Sequence, residues 1–283
     1  MESLLRAFRG ESKNSDAAAA GGGGGGAGKS SFQDDGGAFT RELKTNLRTL
    51  IIYAETQDPE MQREVAEKLA NEAVRGDRQV QIVELGGLQL LLPLTKSTDW
   101  EVRRLAAHAL ANLSVNADNQ VRMAKEGGVE MIISLLSGNV EQVNRQAAKA
   151  LANLGVNQDN KVSIAQAGGI QPLISLVQNG TEAVQVEAIA ALANLAVNDA
   201  NERTIAELGG ISPIIECARG GGSELCAQAA RALRNLSVLE SNKRVIMGCG
   251  GQEILSQLAY SDDERVSQQA SRALANLGNP KGK

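Results

Sequence analysis

The chain has 283 residues, a formal net charge of −4 at pH 7 and only 2% aromatic residues. This mild charge provides no basic footprint for general nucleic-acid binding, so no nucleic-acid partner is expected. One histidine, and three cysteines without metal-ligand spacing, argue against a metal site, a metal cofactor and a Cys-His catalytic pair.

Residues 1–38 are rich in alanine and glycine, which predicts a disordered, low-complexity segment. Its first ten residues, MESLLRAFRG, are interpreted as a frayed end, with a short membrane or partner anchor as the alternative. No apolar run in the chain approaches the roughly 20 residues that span a bilayer, so membrane association is expected only indirectly.

Within this segment, residues 23–30 fit the pattern G-x-x-x-x-G-K-[ST] of phosphate-binding loops. A working loop of this kind joins a buried strand to a helix. Here Asp16 and four alanines precede the glycines, and SFQDDGGAF follows without a helical apolar stripe. The match is therefore interpreted as a linker. We expect no ATP binding, no cofactor, no small-molecule substrate and no enzymatic activity.

From residue 39 onward the sequence repeats itself with a period of 41 residues. Segments such as AHALANLSVNADN and AKALANLGVNQDN recur, and each carries an asparagine at the same position. These asparagines, together with one a period earlier, are Asn71, Asn112, Asn153, Asn194, Asn235 and Asn276. Glycine pairs recur with the same period, at residues 86–87, 127–128, 168–169, 209–210 and 250–251. A period near 40 predicts an all-α solenoid of stacked helical units.

The period also predicts the boundaries of the units. Residues 39–280 divide into a cap unit and five repeats, at 39–74, 75–115, 116–156, 157–197, 198–238 and 239–280. No unit can bury its apolar face alone, so neighbouring units are expected to share one continuous core.

Each repeat is predicted to contain three helices, and the unit that begins at Asn116 illustrates them. Residues 118–126 form a first helix, capped near Asn116 or Asp118 and stopped by the glycine pair. Residues 129–136 form a second helix, and residues 141–154 form the third and longest. Apolar positions in the third helix recur every three or four residues, which predicts a single buried stripe. The stripe consists of Val143, Ala147, Ala150, Leu151 and Leu154.

Four of the five prolines fit these helices. Pro172 and Pro213 fall in the first turn of second helices, where the missing N–H costs little. Pro59 fits the start of the first long helix, and Pro280 follows the last one. Pro93 lies late in a second helix, so that helix is expected to end early or to kink.

This pattern resembles the armadillo repeat family, which has three helices per unit, a glycine turn between the first two and ALANL late in the third. The resemblance covers roughly residues 37–278. The first unit departs from it, because Thr45 and Asn46 occupy the glycine positions and residues 41–54 read as one longer helix. We interpret that unit as an N-terminal cap. The resemblance implies a right-handed α-solenoid of about six repeats, whose third helices line a concave groove.

In the armadillo family, the recurring asparagine holds the backbone of an extended peptide. An amide has an acceptor and a donor pair, so the six asparagines are predicted to grip both the N–H and C=O groups of a guest. The alternative is that each asparagine ties neighbouring helices together, and both roles can coexist. The side chains one turn earlier are expected to select the guest, and they are Glu67, His108, Lys149, Ala190, Arg231 and Arg272. Two turns earlier lie Arg63, Arg104 and Arg145.

The type of groove follows from the residues one turn before the asparagines. In the importin-α branch this position is mostly tryptophan, which no unit has here. The only tryptophan, Trp100, is predicted to pack at the start of its helix. The Arg, Lys and His set resembles the β-catenin type of groove, which receives extended acidic or phosphorylated segments. The alternative is that these cations are solvated helix charges paired with glutamates such as Glu101 or Glu187.

The sequence therefore predicts a non-enzymatic adaptor or scaffold that binds other proteins through extended acidic or phosphorylated segments. Two alternatives stay open: a structural module that self-associates through its C-terminal face, and an adaptor attached to a membrane or to the cytoskeleton. The second follows from a general similarity to the yeast vacuolar armadillo protein and to the armadillo tails of plant kinesins. The expected location is the cytoplasm, with the nucleus as an alternative.

Overall fold

A computed structural model describes residues 36–278, with side chains described from residue 39 onward. Regular structure in this range is entirely α-helical. The predictions for the phosphate-loop match, the MESLLRAFRG segment and Pro280 fall outside the described residues. In chain order the helices are α1 (Gly36–Glu55), α2 (Pro59–Ala73), α3 (Gly76–Glu84), α4 (Gly87–Thr95), α5 (Trp100–Leu113), α6 (Ala117–Lys125), α7 (Gly128–Leu135), α8 (Glu141–Leu154), α9 (Gln158–Gln166), α10 (Ile170–Asn179), α11 (Glu182–Leu195), α12 (Asp199–Glu207), α13 (Ile211–Gly220), α14 (Ser223–Leu236), α15 (Glu240–Gly248), α16 (Gly251–Leu258) and α17 (Glu264–Gly278).

The third helices of the units form the spine of the solenoid. They are α2, α5, α8, α11, α14 and α17, and each packs against the next in that order. The predicted stripe of α8 is buried, with Val143 2% exposed and Ala147, Ala150, Leu151 and Leu154 all 0% exposed. The alanines let neighbouring helices approach closely, and the leucines fill the space between them. The predicted bounds of this third helix are confirmed.

Two adjacent glycines make the turn between the first and second helices. The first glycine of each pair has a positive φ, for example +82° at Gly127. The second lies against the preceding helix, since a Cβ on Gly128 would come within 2.8 Å of the Met123 carbonyl oxygen. The first glycine therefore supplies a left-handed backbone and the second permits close packing. The predicted glycine turn is confirmed.

Replacing Gly127 by alanine is expected to lower the free energy of unfolding by about 1 kcal/mol, because alanine disfavours the left-handed conformation. Apart from its two neighbours in the chain, no described residue lies within 4 Å of the position its Cβ would take, so the loss comes from the backbone. Urea denaturation followed by circular dichroism measures it. The control is Gly138→Ala, at a loop glycine without positive φ and without a described neighbour within 4 Å. Equal losses in the two variants would contradict the backbone explanation.

Asparagines also hold the first helices, in two ways. Asn116 caps α6 as predicted, since its Oδ1 accepts from the backbone N–H groups of Asp118 and Asn119 at 2.9 and 3.2 Å. A second set, which the sequence analysis did not single out, lies inside these helices. These first-helix asparagines are Asn119, Asn160, Asn201 and Asn242, and each is at most 3% exposed. Each Nδ2 donates to a backbone carbonyl of the preceding first helix, so this set joins neighbouring repeats in a buried environment.

The first unit is the long helix that its sequence predicts, but the helix is kinked. α1 spans 20 residues, and Asn46 within it has non-helical angles of φ −117° and ψ 16°. Asn46 occupies the position at which the other units have their glycine pair. The cap unit therefore keeps a break between its first and second helices without making a full turn.

Pro93 lies within α4, and Trp100 at the start of α5 is exposed, against the prediction that it packs. The helix was predicted to end early or to kink at Pro93, and α4 continues two residues past the proline and ends at Thr95. Because proline has no N–H, the backbone carbonyl of Gln89 loses its hydrogen-bond donor. Gln89 is an exposed residue, so water can replace that donor. Trp100 begins α5 as expected but is 50% exposed and does not pack into the core. The first residue of a helix has no preceding turn to cover it, which explains this exposure.

Candidate functional site

The six asparagines of the ALANL segments lie close to the C-terminal ends of the third helices. We call them the third-helix asparagines: Asn71, Asn112, Asn153, Asn194, Asn235 and Asn276. The leucine that follows the asparagine is fully buried in α5, α8, α11 and α14 and points to the core. The asparagine side chain therefore points away from the core, and it is half-buried or exposed in every unit.

The amide nitrogens of four third-helix asparagines are bonded to the preceding third helix. The backbone N–H groups just after α8 donate to the carbonyls of Leu151, Asn153 and Leu154. None of them donates to the carbonyl of Ala152. Asn194 Nδ2 donates to this Ala152 carbonyl at 2.8 Å. The last carbonyls of a helix lack partners within the helix, so the asparagine of the next repeat caps one of them.

The same cap recurs along the solenoid. Asn153, Asn235 and Asn276 donate to the equivalent carbonyls at 3.2, 2.7 and 3.0 Å. Asn112 differs, because its Nδ2 is buried and has no hydrogen-bond partner in the described part of the chain. These bonds show that third-helix asparagines tie neighbouring helices together, which is the alternative role considered for them.

The amide oxygens face a different environment from the nitrogens. Asn235 Oδ1 accepts from the Arg234 guanidinium at 3.2 and 3.0 Å. For Asn153, Asn194 and Asn276, no donor among residues 39–278 reaches Oδ1, and none of these oxygens is a buried unsatisfied atom. In these three asparagines the amide oxygen is therefore without a donor in the described protein, whereas the amide nitrogen is engaged.

The residues one turn before these asparagines form a broken row of cations. Lys149 and Arg272 are exposed, and no carboxylate of the described protein lies within ion-pair distance of either. Arg231 is half-buried, and its Nη2 donates to the Ala190 carbonyl at 3.2 Å. The guanidinium thus lies against the third repeat, which has only an alanine, Ala190, at the equivalent position. Glu67, in the first unit, is exposed and carries the opposite charge.

His108 belongs to the same row but does not add a charge at neutral pH. Burial lowers the pKa of its imidazole, and the nearby cations Arg104 and Lys149 lower it further. Because the ordinary value is about 6.5, the side chain is uncharged at pH 7.

The arginines two turns before the asparagines are paired with carboxylates. Arg104 Nη2 lies 2.6 Å from Glu101 Oε1 in its own helix, and Arg63 contacts Asp99 of the next repeat. Arg145 lies 4.0 Å from Glu187, at the limit of an ion pair. Paired helix charges, the alternative considered for the cations, therefore describe this outer row.

A cavity of about 390 Å³ lies between the ends of α14 and α17. It brings together two third-helix asparagines and one cation, Arg272, of the row one turn before them (the inner row). Its lining is Arg234, Asn235, Val238, Arg272, Ala275 and Asn276. A larger cavity of about 640 Å³ lies at the opposite ends of the third helices, near Asn144 and Val184. None of the predicted peptide-binding residues lines that larger cavity.

A row of exposed valines also borders the third-helix asparagines, and the sequence analysis missed it. Each valine follows its asparagine by three residues. This valine row consists of Val74, Val115, Val156, Val197 and Val238, which are 60, 58, 64, 56 and 48% exposed. The signal that could have revealed the row is the same period of 41 residues.

The described range contains neither a candidate membrane span nor a candidate metal cluster. Among residues 36–278, no helix combines the length and the apolarity that crossing a bilayer requires. In the same range, no cluster of three or more His, Cys, Asp or Glu side chains is arranged to hold a metal ion.

Stacked three-helix units, a glycine turn in each repeat and a row of amides along the third helices define an α-solenoid repeat protein. The armadillo-like family model matches residues 42–216, and the armadillo/β-catenin-like repeat model matches residues 198–238. The first match covers more than half of the chain, so the chain belongs to the armadillo-like family. No curated protein sequence matches it.

Solved structures agree with this family. The chain is 34% identical to an engineered protein of known crystal structure, with a TM-score of 0.76 over 83% of this chain and 96% of the other. It is 25% identical to a designed armadillo repeat protein, with a TM-score of 0.75 over 82% and 99% of the two chains. A designed armadillo repeat protein in complex with the peptide (KR)4 is also 25% identical, with a TM-score of 0.74 over 82% and 99%.

The family sets the general type of function. Armadillo repeat solenoids commonly mediate protein binding and are typically non-enzymatic, and a designed member binds a peptide.

Proposed function

We propose that this protein is a non-enzymatic adaptor whose groove binds extended, acidic segments of other proteins. One observation carries the proposal. On α8 the exposed Lys149 lies one turn before Asn153, whose amide oxygen is open while its nitrogen is fixed to the neighbouring helix. A cation and an oriented acceptor are thus presented side by side.

The amide row would bind the backbone of the guest. Because the nitrogens of Asn153 and Asn194 are held by the preceding helix, their oxygens are oriented before any guest arrives. Preorganised acceptors bind a guest N–H group with a smaller entropic cost than mobile side chains do. Such contacts do not depend on guest side chains, so they favour an extended backbone over a particular sequence.

The length of the guest follows from the stacking of the helices. Adjacent packed helices lie about 8–10 Å apart, so six third helices make a groove of roughly 45 Å. An extended chain covers at most about 3.3–3.6 Å per residue, so the groove suits a segment of about 12–15 residues.

Charge complementarity favours an acidic guest. Lys149 and Arg272 are exposed and lack ion pairs within the described residues, so a guest carboxylate or phosphate need not displace an existing partner. Glu187 lies near these cations: burial raises its pKa, and the charges of Lys149 and Arg145 partly offset that effect. The designed armadillo repeat protein is in complex with a basic peptide, (KR)4. In the present protein the inner row carries cations, which favour a guest of negative charge.

The double variant Lys149→Glu, Arg272→Glu is expected to weaken binding of an acidic peptide by roughly tenfold, since two exposed attractive contacts become repulsive. The probe is a fluorescein-labelled peptide of about 12 alternating Asp and Ser residues, followed by fluorescence anisotropy at low salt. The same peptide with Asn in place of Asp should bind the wild type more weakly.

The matched control changes the same net charge away from the groove. Lys125 ends a first helix and Arg203 lies within another, and both are exposed. Lys125→Glu, Arg203→Glu should leave the affinity within about twofold of the wild type. If both double variants weakened binding equally, the effect would come from net charge and not from the groove. If the Asp and Asn peptides bound equally well, the preference for acidic guests would be wrong.

A further inference from the structure

The valine row lies on the groove side of the third helices. A residue three positions after another lies one turn on and on the same face of a helix. The backbone continues this turn beyond the helix end, since Val156 N donates to Asn153 O at 3.2 Å and Val197 N to Asn194 O at 3.4 Å. Val238 lines the same cavity as Asn235 and Asn276, which places that valine directly in the groove.

Five exposed valines in register differ from the single exposed apolar residues found on any protein surface. Each is about half exposed or more, so the core does not need them for burial. One isolated valine would require no explanation, but an exposed valine at the same position of five successive units makes a candidate interaction surface.

Three kinds of side chain therefore follow one another in a fixed order on two of the third helices, α8 and α14, and on α14 the order is Arg231, Asn235 and Val238. On α8 the order is Lys149, Asn153 and Val156. Each step is about one helical turn, or roughly 5 Å, so the amide row lies in the middle between a cationic side and an apolar side.

An extended strand matches this order by its own geometry. Its successive side chains point to opposite sides. When its backbone lies along the central amide row, one set of alternate side chains faces the cations and the other set faces the valines. A guest that satisfies both sides must carry two different kinds of residue at alternating positions.

We propose that the guest is an extended segment in which acidic and apolar residues alternate, with its apolar side chains packed on the valine row. This inference rests on the proposed binding of acidic segments, and it adds a preference for apolar residues at the alternate positions of the guest. Charge complementarity with Lys149 and Arg272 fixes which edge of the strand faces the cations. The apolar residues then reach the valines on the other edge.

The test compares two labelled peptides of about 12 residues, one alternating Asp and Val and the other alternating Asp and Ser. The wild type should bind the Asp-Val peptide about tenfold more tightly, because apolar side chains are removed from water. The double variant Val156→Ser, Val197→Ser should lose this advantage and still bind the Asp-Ser peptide like the wild type. A peptide of the same composition with Asp and Val in separate blocks should bind like the Asp-Ser peptide.

Exposed valines outside the groove provide the matched control. Val121 and Val162 lie in first helices and are 40 and 39% exposed. Val121→Ser, Val162→Ser should leave both affinities unchanged, and thermal unfolding should confirm that both double variants stay folded.

The outcomes separate this inference from the proposed function. If the valine-row variant binds the Asp-Val peptide like the wild type, or the block peptide binds as tightly as the alternating one, the inference is wrong. If, in addition, Lys149→Glu, Arg272→Glu still weakens both peptides, the acidic groove stands without it. Failure of the wild type to bind either peptide would overturn both proposals.

Discussion

Replacing Leu151 by alanine is expected to lower the free energy of unfolding by about 4 kcal/mol, because the substitution opens a cavity between third helices. Leu151 is 0% exposed in α8, which packs against both α5 and α11. Its counterparts Leu110, Leu192 and Leu233 are at most 1% exposed, so one leucine layer recurs through the stack. Urea denaturation followed by circular dichroism measures the loss.

The position of Leu151 makes the effect large for the whole domain. In a solenoid each repeat contacts only its neighbours, so stability is a sum of repeat and interface terms. The residue contributes to an interface in the middle of the array, and weakening it affects units on both sides. Leu151→Met, which nearly conserves volume, should lose less than about 1.5 kcal/mol. A loss below about 1 kcal/mol for the alanine variant would mean that leucine packing between third helices is not the main source of stability.

Asn160→Ala is expected to lower the free energy of unfolding by about 2 kcal/mol, from a lost buried hydrogen bond and the space left behind. Asn160 is 3% exposed, and its Nδ2 donates to the Gln120 carbonyl of the preceding first helix at 2.9 Å. Water cannot reach that site to replace the donor. The variant is measured by the same urea denaturation.

The matched comparison is Asn194→Ala in a third helix. Asn194 makes a bond of nearly the same length, 2.8 Å to the Ala152 carbonyl, but is only half-buried. Water can replace its amide there, so the loss should be about 0.5–1 kcal/mol. Similar losses at the two positions would show that solvent access does not distinguish first-helix from third-helix asparagines.

The self-association alternative stays a prediction. Leu274 and Leu277 of α17 are half-buried, whereas their counterparts Leu233 and Leu236 in α14 are 0% exposed. Sedimentation over a range of protein concentrations would test whether a second copy covers this face.

Much of the fold could be predicted from the sequence because each repeat contains the local signals for its own helices and turns. Glycine pairs can adopt positive φ, Asn116 can cap a helix, and the stripe of α8 has helical spacing. These features depend on residues close together in the chain, and five nearly identical periods repeat the signal. The prediction that Trp100 packs was wrong because local rules do not say which side chains face water.

The candidate site was predicted less completely. The positions of the third-helix asparagines follow from the period, and their shared helix face follows from helical geometry. The hydrogen bond that each amide makes depends on the neighbouring repeat. Asn194 can donate to the Ala152 carbonyl only because the end of α8 leaves that carbonyl without a backbone donor. The pairing of Arg63 with Asp99, and the turn of Arg231 over Ala190, also join residues 36 and 41 positions apart.

The sequence by itself determined the helices, the turns, the period of 41 residues and the family to which they belong, because all of these follow from local chemistry and repetition. Only the tertiary structure decided which asparagine atoms are occupied, which cations lack a carboxylate partner and which valines remain in water. These properties arise between stacked repeats, where the same residue type can be buried, capped or exposed according to what the next unit places beside it.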